Sequence, residues 1–472
     1  MHRQIMLSYL PRLLNLVVVP AHIALLTENL SVENYGIWNM LLSSGFVASM
    51  IFSLGLQKVL SIKTPGRSLY IQLSFFKAVL LAESLAYVAM SIIFLLICLP
   101  WVVSSLNIEG QEVTVATILL AFLVNLIYCE FGRLFNYQKR IEIRVLISSF
   151  EKLLELGLIY AAICWVGTTD LKHLALVYIG IYSILLLTNL LFFRGSRLFF
   201  SVRLRLPVIK YALLFGGPLI LSDVAWKLIQ NADFYMLSAF DRQTELGLYA
   251  FISRVINYIY LAASPIIWIM YPYLVDTFHK EGNRMGDKTR YLLESQLRYS
   301  TLFLLGALGG VLINLDWLVD LLANKAYDQS MAFLLFAPYP ALVTLMYLGQ
   351  QVLLLEKKTR LISISYAAGL MANIGGNLLL IPALGIFGAI ISTLTALVII
   401  IIIQALHFSP LRHVSGALLA MVAIQVGVLG ALLNASLPLM LKNLIFAIEL
   451  TLVAIVLRLI DLSVVRRLVI WT

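Results

Sequence analysis

Fourteen apolar runs, each long enough to cross a bilayer, follow one another from residue 5 to residue 460, and no interval between them exceeds roughly 25 residues. A chain built this way has no stretch left from which to fold a separate soluble domain. In hydrocarbon every backbone N–H and C=O must be satisfied within its own segment, so runs of this length dictate spanning helices. The expected spans are 5–27, 36–57, 74–99, 113–134, 143–165, 172–193, 211–238, 246–275, 297–320, 331–354, 361–381, 385–407, 414–434 and 438–460. Composition agrees, since 61% hydrophobic residues, 12% charged residues and a mean hydropathy of +0.95 cannot cover a water-exposed globule. The expected class is an all-α polytopic membrane protein of about 14 transmembrane helices.

A net charge of +10 would point to nucleic acid in a soluble protein, but here the basic residues alternate between loops. One set of loops holds Lys58, Lys63, Arg67 and Lys77, then Arg133, Lys139, Arg140 and Arg144, then Arg194 to Lys210, Lys280 to Arg298, Lys357 to Arg360, and Arg412. The opposite set holds only Lys172, Arg242, Lys325 and Lys442. Such a bias reports membrane orientation, with an even helix count and both termini cytoplasmic, and no nucleic-acid partner is expected. The first span contains Pro11, Arg12 and Pro20 and lacks a small-residue cleavage site, so it is expected to be retained as a helix. Cys98, Cys129 and Cys164 show no paired spacing and are expected to be buried small apolar residues. No residue cluster suggests a metal or a cofactor.

The most informative stretch is 211–274, two long apolar helices joined by a polar turn at 240–245. The first carries Asp223, Lys227, Gln230, Asn231 and Asp233 at membrane depth. An ion at a bilayer centre costs roughly 2.5 to 3.5 kcal/mol on insertion scales, so these residues should face protein or a watery cavity. At about 100° per residue, Asp223, Lys227 and Gln230 share one face, flanked by Trp226 and Asn231. Arg254, Asn257 and Tyr258 make a similar stripe on the second helix, with Pro265 a kink below it. On the first span Ser8, Arg12, Asn15 and His22 share a face, and on the second Asn39, Ser43, Ser53 and Gln57 do. Interhelical hydrogen bonding is the bland alternative for each such amide or hydroxyl. A polar seam inside apolar spans suggests a path for a polar cargo.

A short internal repeat is also visible. Residues 32–38 resemble 244–249, and aligning Gly36 with Gly247 gives an offset of 211, which places Arg12 opposite Asp223. An offset of that size is expected of two six-helix halves, 1–200 and 201–408, with an additional pair of helices in 409–472.

The stretch 211–220 with Gly216, Gly217 and Pro218, followed by Trp226, Asp233 and 246–249, resembles the seventh and eighth helices of Wzx-type polysaccharide flippases. The stretches 373–382 and 385–393, and the acidic turn before Tyr35 and Gly36, resemble that family too. The resemblance implies membership of the MOP exporter superfamily, with two six-helix lobes related by a pseudo-twofold axis around a V-shaped cavity. It also implies translocation of an undecaprenyl-diphosphate-linked oligosaccharide from the cytoplasmic to the periplasmic leaflet by alternating access, for O-antigen, capsule or exopolysaccharide synthesis. The expected location is the bacterial inner membrane, with a polysaccharide polymerase and a chain-length regulator as further partners beside the lipid-linked substrate and the surrounding lipids. Fourteen helices match the lipid II branch in number.

A diphosphate needs fixed cations along its route, and an arginine fork pairs with phosphate oxygens bidentately. Arg12, Lys227 and Arg254 are the candidates, spaced as a ladder through the membrane. Asn15, Asn39, Trp226, Gln230, Asn231, Asn257 and Tyr258 are candidates for sugar contacts. Asp223 and Asp233 are candidates for ion coupling. Glu83, Glu151 and Glu155 are also deep, and Lys152 makes a local neutral cluster the expectation for the latter two. Gly375, Gly376, Gly385 and Gly388 are expected to allow close helix contact or a turn, and Pro382 to end a helix. Two alternatives are weighed. A cation-drug exporter of the same superfamily would want acids and aromatics in its cavity, which Lys227 and Arg254 oppose. A polymerase or ligase enzyme would want a long external loop and a nucleophile with a base at catalytic spacing, and neither is present in the sequence.

Overall fold

The computed structural model describes residues 2–52, 68–138, 140–193, 196–202, 206–323, 325–327, 329–407, 416–457 and 459. Over the described residues, each expected span falls on helix. In chain order these are α1 (His2–Asn29), α2 (Val32–Phe52), α3 (Leu69–Ser105), α4 (Glu112–Tyr137), α5 (Ile141–Cys164), α6 (Leu171–Phe192) and α7 (Leu206–Ala239). They continue as α8 (Gln243–Lys280), α9 (Asp287–Ile313), α10 (Ser330–Leu355), α11 (Thr359–Leu384), α12 (Ile386–Ala405), α13 (Gly416–Asn434) and α14 (Leu439–Val456). Among the described residues, 10 helices are long and apolar enough to cross a membrane by length and composition. The remaining four, α1, α5, α7 and α8, carry Arg12, Glu151, Glu155, Asp223, Lys227, Asp233 and Arg254, whereas Glu83 lies on α3. The chain is a multi-pass membrane protein.

Boundaries differ from expectation where polar ends prolong a helix. α7 has 34 residues and α8 has 38, about 50 Å or more at 1.5 Å per residue, so both exceed a hydrocarbon core of about 30 Å. α11 does not stop at Pro382. In the last turn a proline removes only one N–H, and the helix runs to Leu384, where Gly385 at φ 55° donates its N–H to Ile381 O at 2.8 Å and turns the chain into α12. α3 passes through a five-residue π turn, Phe94–Cys98, just before Pro100, whose missing N–H that turn accommodates. The cysteines are free, but Cys164 is exposed and Cys98 and Cys129 are half-buried. Facing lipid costs a thiol little, so the expectation of burial, framed for an aqueous surround, fails there.

The chain divides into two compact units, Met1–Ala250 with Leu322–Ala326, and Phe251–Leu321 with Tyr327–Thr472. In the first, α4 packs on α6, α1 on α5, and α7 on α2 and α3. Leu73, Phe76, Val79, Phe131 and Leu134 form one apolar core, with the Phe76 and Phe131 rings edge to face at 5.1 Å. Lys77 reaches from α3 to the carbonyls of Phe199, Phe200 and Val202 at 3.1 to 3.3 Å, an ammonium at the C-terminal end of the short helix Ser196–Ser201. The Thr27 hydroxyl donates to Leu322 O at 2.5 Å, which ties that short segment to α1.

In the second unit α11 and α12 form a tight antiparallel pair, and α13 and α14 pack on α9. Leu293, Leu297, Val352, Met421 and Ala454 share one core. Between Pro265 and Pro272 of α8, Ile267 O accepts the Gln296 amide at 3.0 Å and the Gln351 amide at 3.2 Å, and Gln296 also donates to Gln351 Oε1 at 3.0 Å. α8 is continuous through Pro265, and the proline-flanked stretch is held by amides from its neighbours.

The loop before α9 offers a pH-dependent contact outside the spans. Glu281 accepts the Thr289 hydroxyl at 2.5 Å and the N–H groups of Lys288 and Thr289 at 3.0 and 3.1 Å, capping the N-terminus of α9. The Thr289 hydroxyl, followed by those N–H groups and the Lys288 charge, holds the carboxyl below the usual range. Since the folded value is the lower one, this contribution is present above the ordinary carboxylate pKa and is lost as pH falls through the depressed value. Glu281→Gln should therefore lower the thermal midpoint at pH 7 and shrink its drop between pH 7 and acid. An unchanged acid slope in the variant would remove Glu281 from that dependence.

Candidate functional site

α7 presents the polar stripe that its sequence predicts. Asp223, Lys227 and Gln230 are half-buried, whereas Trp226 at 8% and Asn231 at 9% exposure turn inward. Asp223 sits one turn before Lys227 on the same face of α7. Asn231 donates to Lys227 O at 2.7 Å, so its amide is engaged with its own helix. Asp233 is fully buried and accepts the Tyr249 hydroxyl from the second turn of α8.

On α2, Asn39 is buried and donates to Tyr35 O at 2.7 Å. Asn15 is half-buried on α1. Arg12 and Ser8 belong to α1, but their side chains lie outside the described residues, as do Ser53 and Gln57 altogether. In the second unit Arg254, Asn257 and Tyr258 are all half-buried on α8, and Asn257 donates to Ser253 O at 2.8 Å. Lys227 and Arg254 thus fall in different units.

The turn joining α7 to α8 is fastened to the α3–α4 connection. Gln243 donates to Asn107 O at 3.1 Å and Leu106 O at 3.3 Å, and the Asn107 amide donates to Ser238 O at 3.2 Å. The Ser238 hydroxyl also donates to Leu106 O. Beside it the first turns of α2 and α8 touch along their backbones. A Cβ built at Gly36 would lie 2.6 Å from Gly247 N, and one at Gly247 would lie 2.0 Å from Val32 O. Thr244 donates to Glu33 Oε1 at 2.7 Å. Both contacts join positions 211 apart, which the internal repeat makes equivalent.

A second polar cluster, in the first unit, extends much further than its sequence indicated. Lys152 bridges Glu155 Oε2 at 2.9 Å and Glu151 Oε1 at 4.0 Å, as the local spacing suggests. The other partners come from three more helices. Tyr178 of α6 donates to Glu155 Oε1 at 2.7 Å, Tyr128 of α4 donates to Glu151 Oε2 at 2.7 Å, and His22 Nδ1 of α1 lies 3.8 Å from Glu155 Oε1. The Arg144 guanidinium stands 5.8 Å from the centre of the Tyr128 ring. Trp38, Tyr178 and Tyr182 continue the cluster edge to face at 5.5 and 5.8 Å. A carboxylate with two charge-assisted partners can stay ionised at this depth, and the network fastens α1, α4, α5 and α6 together. Among the described residues, no group of three metal-ligating side chains is present.

In sequence, the family described as "Polysaccharide biosynthesis protein" matches residues 4–278, more than half of the chain. No curated protein matches. In structure, the chain is similar to the lipid II flippase MurJ in its inward closed conformation, with a TM-score of 0.70 and 13% identity over 100% of both chains. It is also similar to an inward-facing multidrug resistance MATE family transporter of the MOP superfamily, with a TM-score of 0.64 and 11% identity over 87% of this chain and 100% of that one. The MATE multidrug transporter DinF-BH follows at 0.57 and 13%, over 87% and 95%. At these identities the likeness is one of fold, and the fold is that of the two-lobe MOP transporters.

Proposed function

Because the chain belongs to the polysaccharide biosynthesis protein family, we propose that it is a flippase for an undecaprenyl-diphosphate-linked oligosaccharide, working by alternating access in the bacterial inner membrane with both termini cytoplasmic. One observation carries this most. A family named for polysaccharide synthesis takes here, over the full chain, the fold of a flippase for another lipid-linked substrate. The solved structures that the chain is similar to are not polymerases or ligases. They are membrane transporters.

In this account the half-buried Lys227 and Arg254, with Arg12, meet the diphosphate, each holding anionic oxygens that hydrocarbon would otherwise exclude. Asn15, Asn39, Trp226, Gln230, Asn231, Asn257 and Tyr258 line the path of the sugars. Asp223 and Asp233 are the proposed coupling carboxylates, because a coupled cycle needs an acid at membrane depth whose charge can differ between the two states of the cavity. A polymerase and a chain-length regulator take the product onward. Export of cationic drugs is the second reading, favoured by the fold likeness to the multidrug transporters and opposed by the deep cations.

Deleting the gene and extracting lipid-linked intermediates decides between them. Complete oligosaccharide units should accumulate on the inner leaflet, and the sugars found name the cargo. Dye sensitivity with normal polymer would favour the drug exporter instead. Arg254→Ala should reduce surface polymer by tenfold or more, on the order of 1.4 kcal/mol per decade of lost anion stabilisation, with protein levels in the membrane unchanged. Arg254→Lys should retain an intermediate level, since the charge remains and the fork is lost. Normal polymer from the alanine variant would remove Arg254 from the mechanism.

A further inference from the structure

Within the first unit, α2, α3, α4 and the last turns of α7 line a cavity of about 490 Å³ that is open on one side. Its walls are almost wholly carbon, from Leu41, Ala48 and Phe52 on α2, Phe94 and Trp101 on α3, and Ile118 on α4. Two of the hydroxyls on the wall are already engaged. Ser44 donates to Met40 O in its own helix at 2.8 Å, and its oxygen lies 3.3 Å from the Tyr235 hydroxyl. A buried water needs two to four polar partners, and these walls do not supply them. The cavity is therefore dry, and a dry apolar cavity takes up apolar molecules. Its volume is roughly three times that of an engineered 150 Å³ cavity that holds one benzene.

The sequence builds this space deliberately. The π turn Phe94–Cys98 and Pro100 interrupt the regular winding of α3 where it forms the wall. Gly45 has no Cβ, and one would lie 2.2 Å from the Phe122 ring, so the glycine lets Phe122 seat behind the wall against α2. On the adjoining surface of α3, Leu96, Ile97 and Trp101 are 76%, 71% and 73% exposed, an apolar face that belongs in lipid. An occupant thus arrives from the bilayer as a hydrocarbon chain.

We infer that this cavity binds a segment of the polyprenyl chain of the cargo lipid, holding the tail while the headgroup moves. This rests on the carrier-linked cargo proposed above. A polyprenyl segment has fewer rotatable bonds per carbon than an acyl chain, so less conformational entropy is lost when a compact cavity orders it. Its methyl branches and double bonds also meet the rings of Phe52, Phe94, Trp101 and Tyr235 that the wall presents.

The test uses the full-length protein in nanodiscs with a diazirine-bearing polyprenyl phosphate as photoprobe. Cross-links should map to 41–52, 94–119 and 235–239. Unlabelled polyprenyl phosphate should displace the probe, and the same excess of dioleoyl phosphatidylglycerol should not. Ala48→Trp, which fills the cavity, should cut labelling there about tenfold. Ala239→Phe at the rim serves the same purpose should the first variant unfold. Cross-links elsewhere, equal displacement by the diacyl lipid, or undiminished labelling in a folded filled variant would each overturn the inference. Translocation of carrier-linked sugar in vesicles is read separately. Flipping without cavity labelling retires the cavity alone, whereas labelling without flipping retires the transport function alone.

Discussion

Gly247→Val is expected to abolish surface polysaccharide while leaving the protein in the membrane. The new Cβ would lie 2.0 Å from Val32 O and 2.7 Å from Val32 C, backbone atoms that cannot swing aside as a side chain can, with Val32 Cγ1 at 2.6 Å beside them. Overpacking of this kind costs about 1–3 kcal/mol where neighbours can relax. Here relief comes only if the first turns of α2 and α8 separate, which also breaks the Thr244–Glu33 hydrogen bond. A shift of about 3 kcal/mol changes the balance between two conformations more than a hundredfold, so a cycle that makes and breaks this contact would stall. Gly36→Ala should act in the same direction, because its Cβ would meet Gly247 N at 2.6 Å. Gly375→Ala is the control, since open space surrounds that position, and it should leave polymer unchanged. Polymer at the native level in Gly247→Val would show that the contact is idle during transport.

Glu155→Ala should give the largest loss of stability. It removes the anion that Lys152, Tyr178 and His22 share and leaves the lysine only the more distant Glu151 at 4.0 Å. Breaking a buried pair by removing one partner costs about 3–5 kcal/mol, and Lys152 is 32% exposed, so the lower end applies. The thermal midpoint of the purified variant should fall by several degrees. The double variant Lys152→Met with Glu155→Leu should be more stable than Glu155→Ala, because no ammonium is left without its nearer carboxylate and Glu151 keeps the Tyr128 hydroxyl. Equal midpoints for wild type and Glu155→Ala would mean that the network does not hold these helices.

The helices were legible because hydrocarbon permits so little else. A long run of apolar residues leaves the backbone only one way to satisfy its hydrogen bonds, and basic residues in every second loop mark where the runs end. The polar stripe on α7 was legible for the same reason, since Asp223, Lys227 and Gln230 stand out against their surroundings. Contacts between distant residues were not. Gly36 and Gly247 could be matched as equivalent positions in a repeat, yet the match carried no sign that the two would touch. Lys152 and its acids looked self-contained at helical spacing, Tyr128 and Tyr178 do not stand out in their own segments, and His22 stood out on the polar face of the first span without any sign that it meets Glu155. The cavity beside α3 is invisible in sequence, because residues that wall a space are the same types that fill one. Cys164 shows the remaining weakness: in a bilayer, apolar does not mean inside.

The two glutamines on Ile267 bear on how α8 can move at all. A membrane helix that flexes at a proline bares carbonyl oxygen to a medium without water, which costs several kcal/mol per group. Gln296 and Gln351 travel with their own helices and bring amide hydrogens to that spot, acting as a resident substitute for solvent. Flexure at the middle of α8 is thereby confined to the arc over which those two side chains can follow.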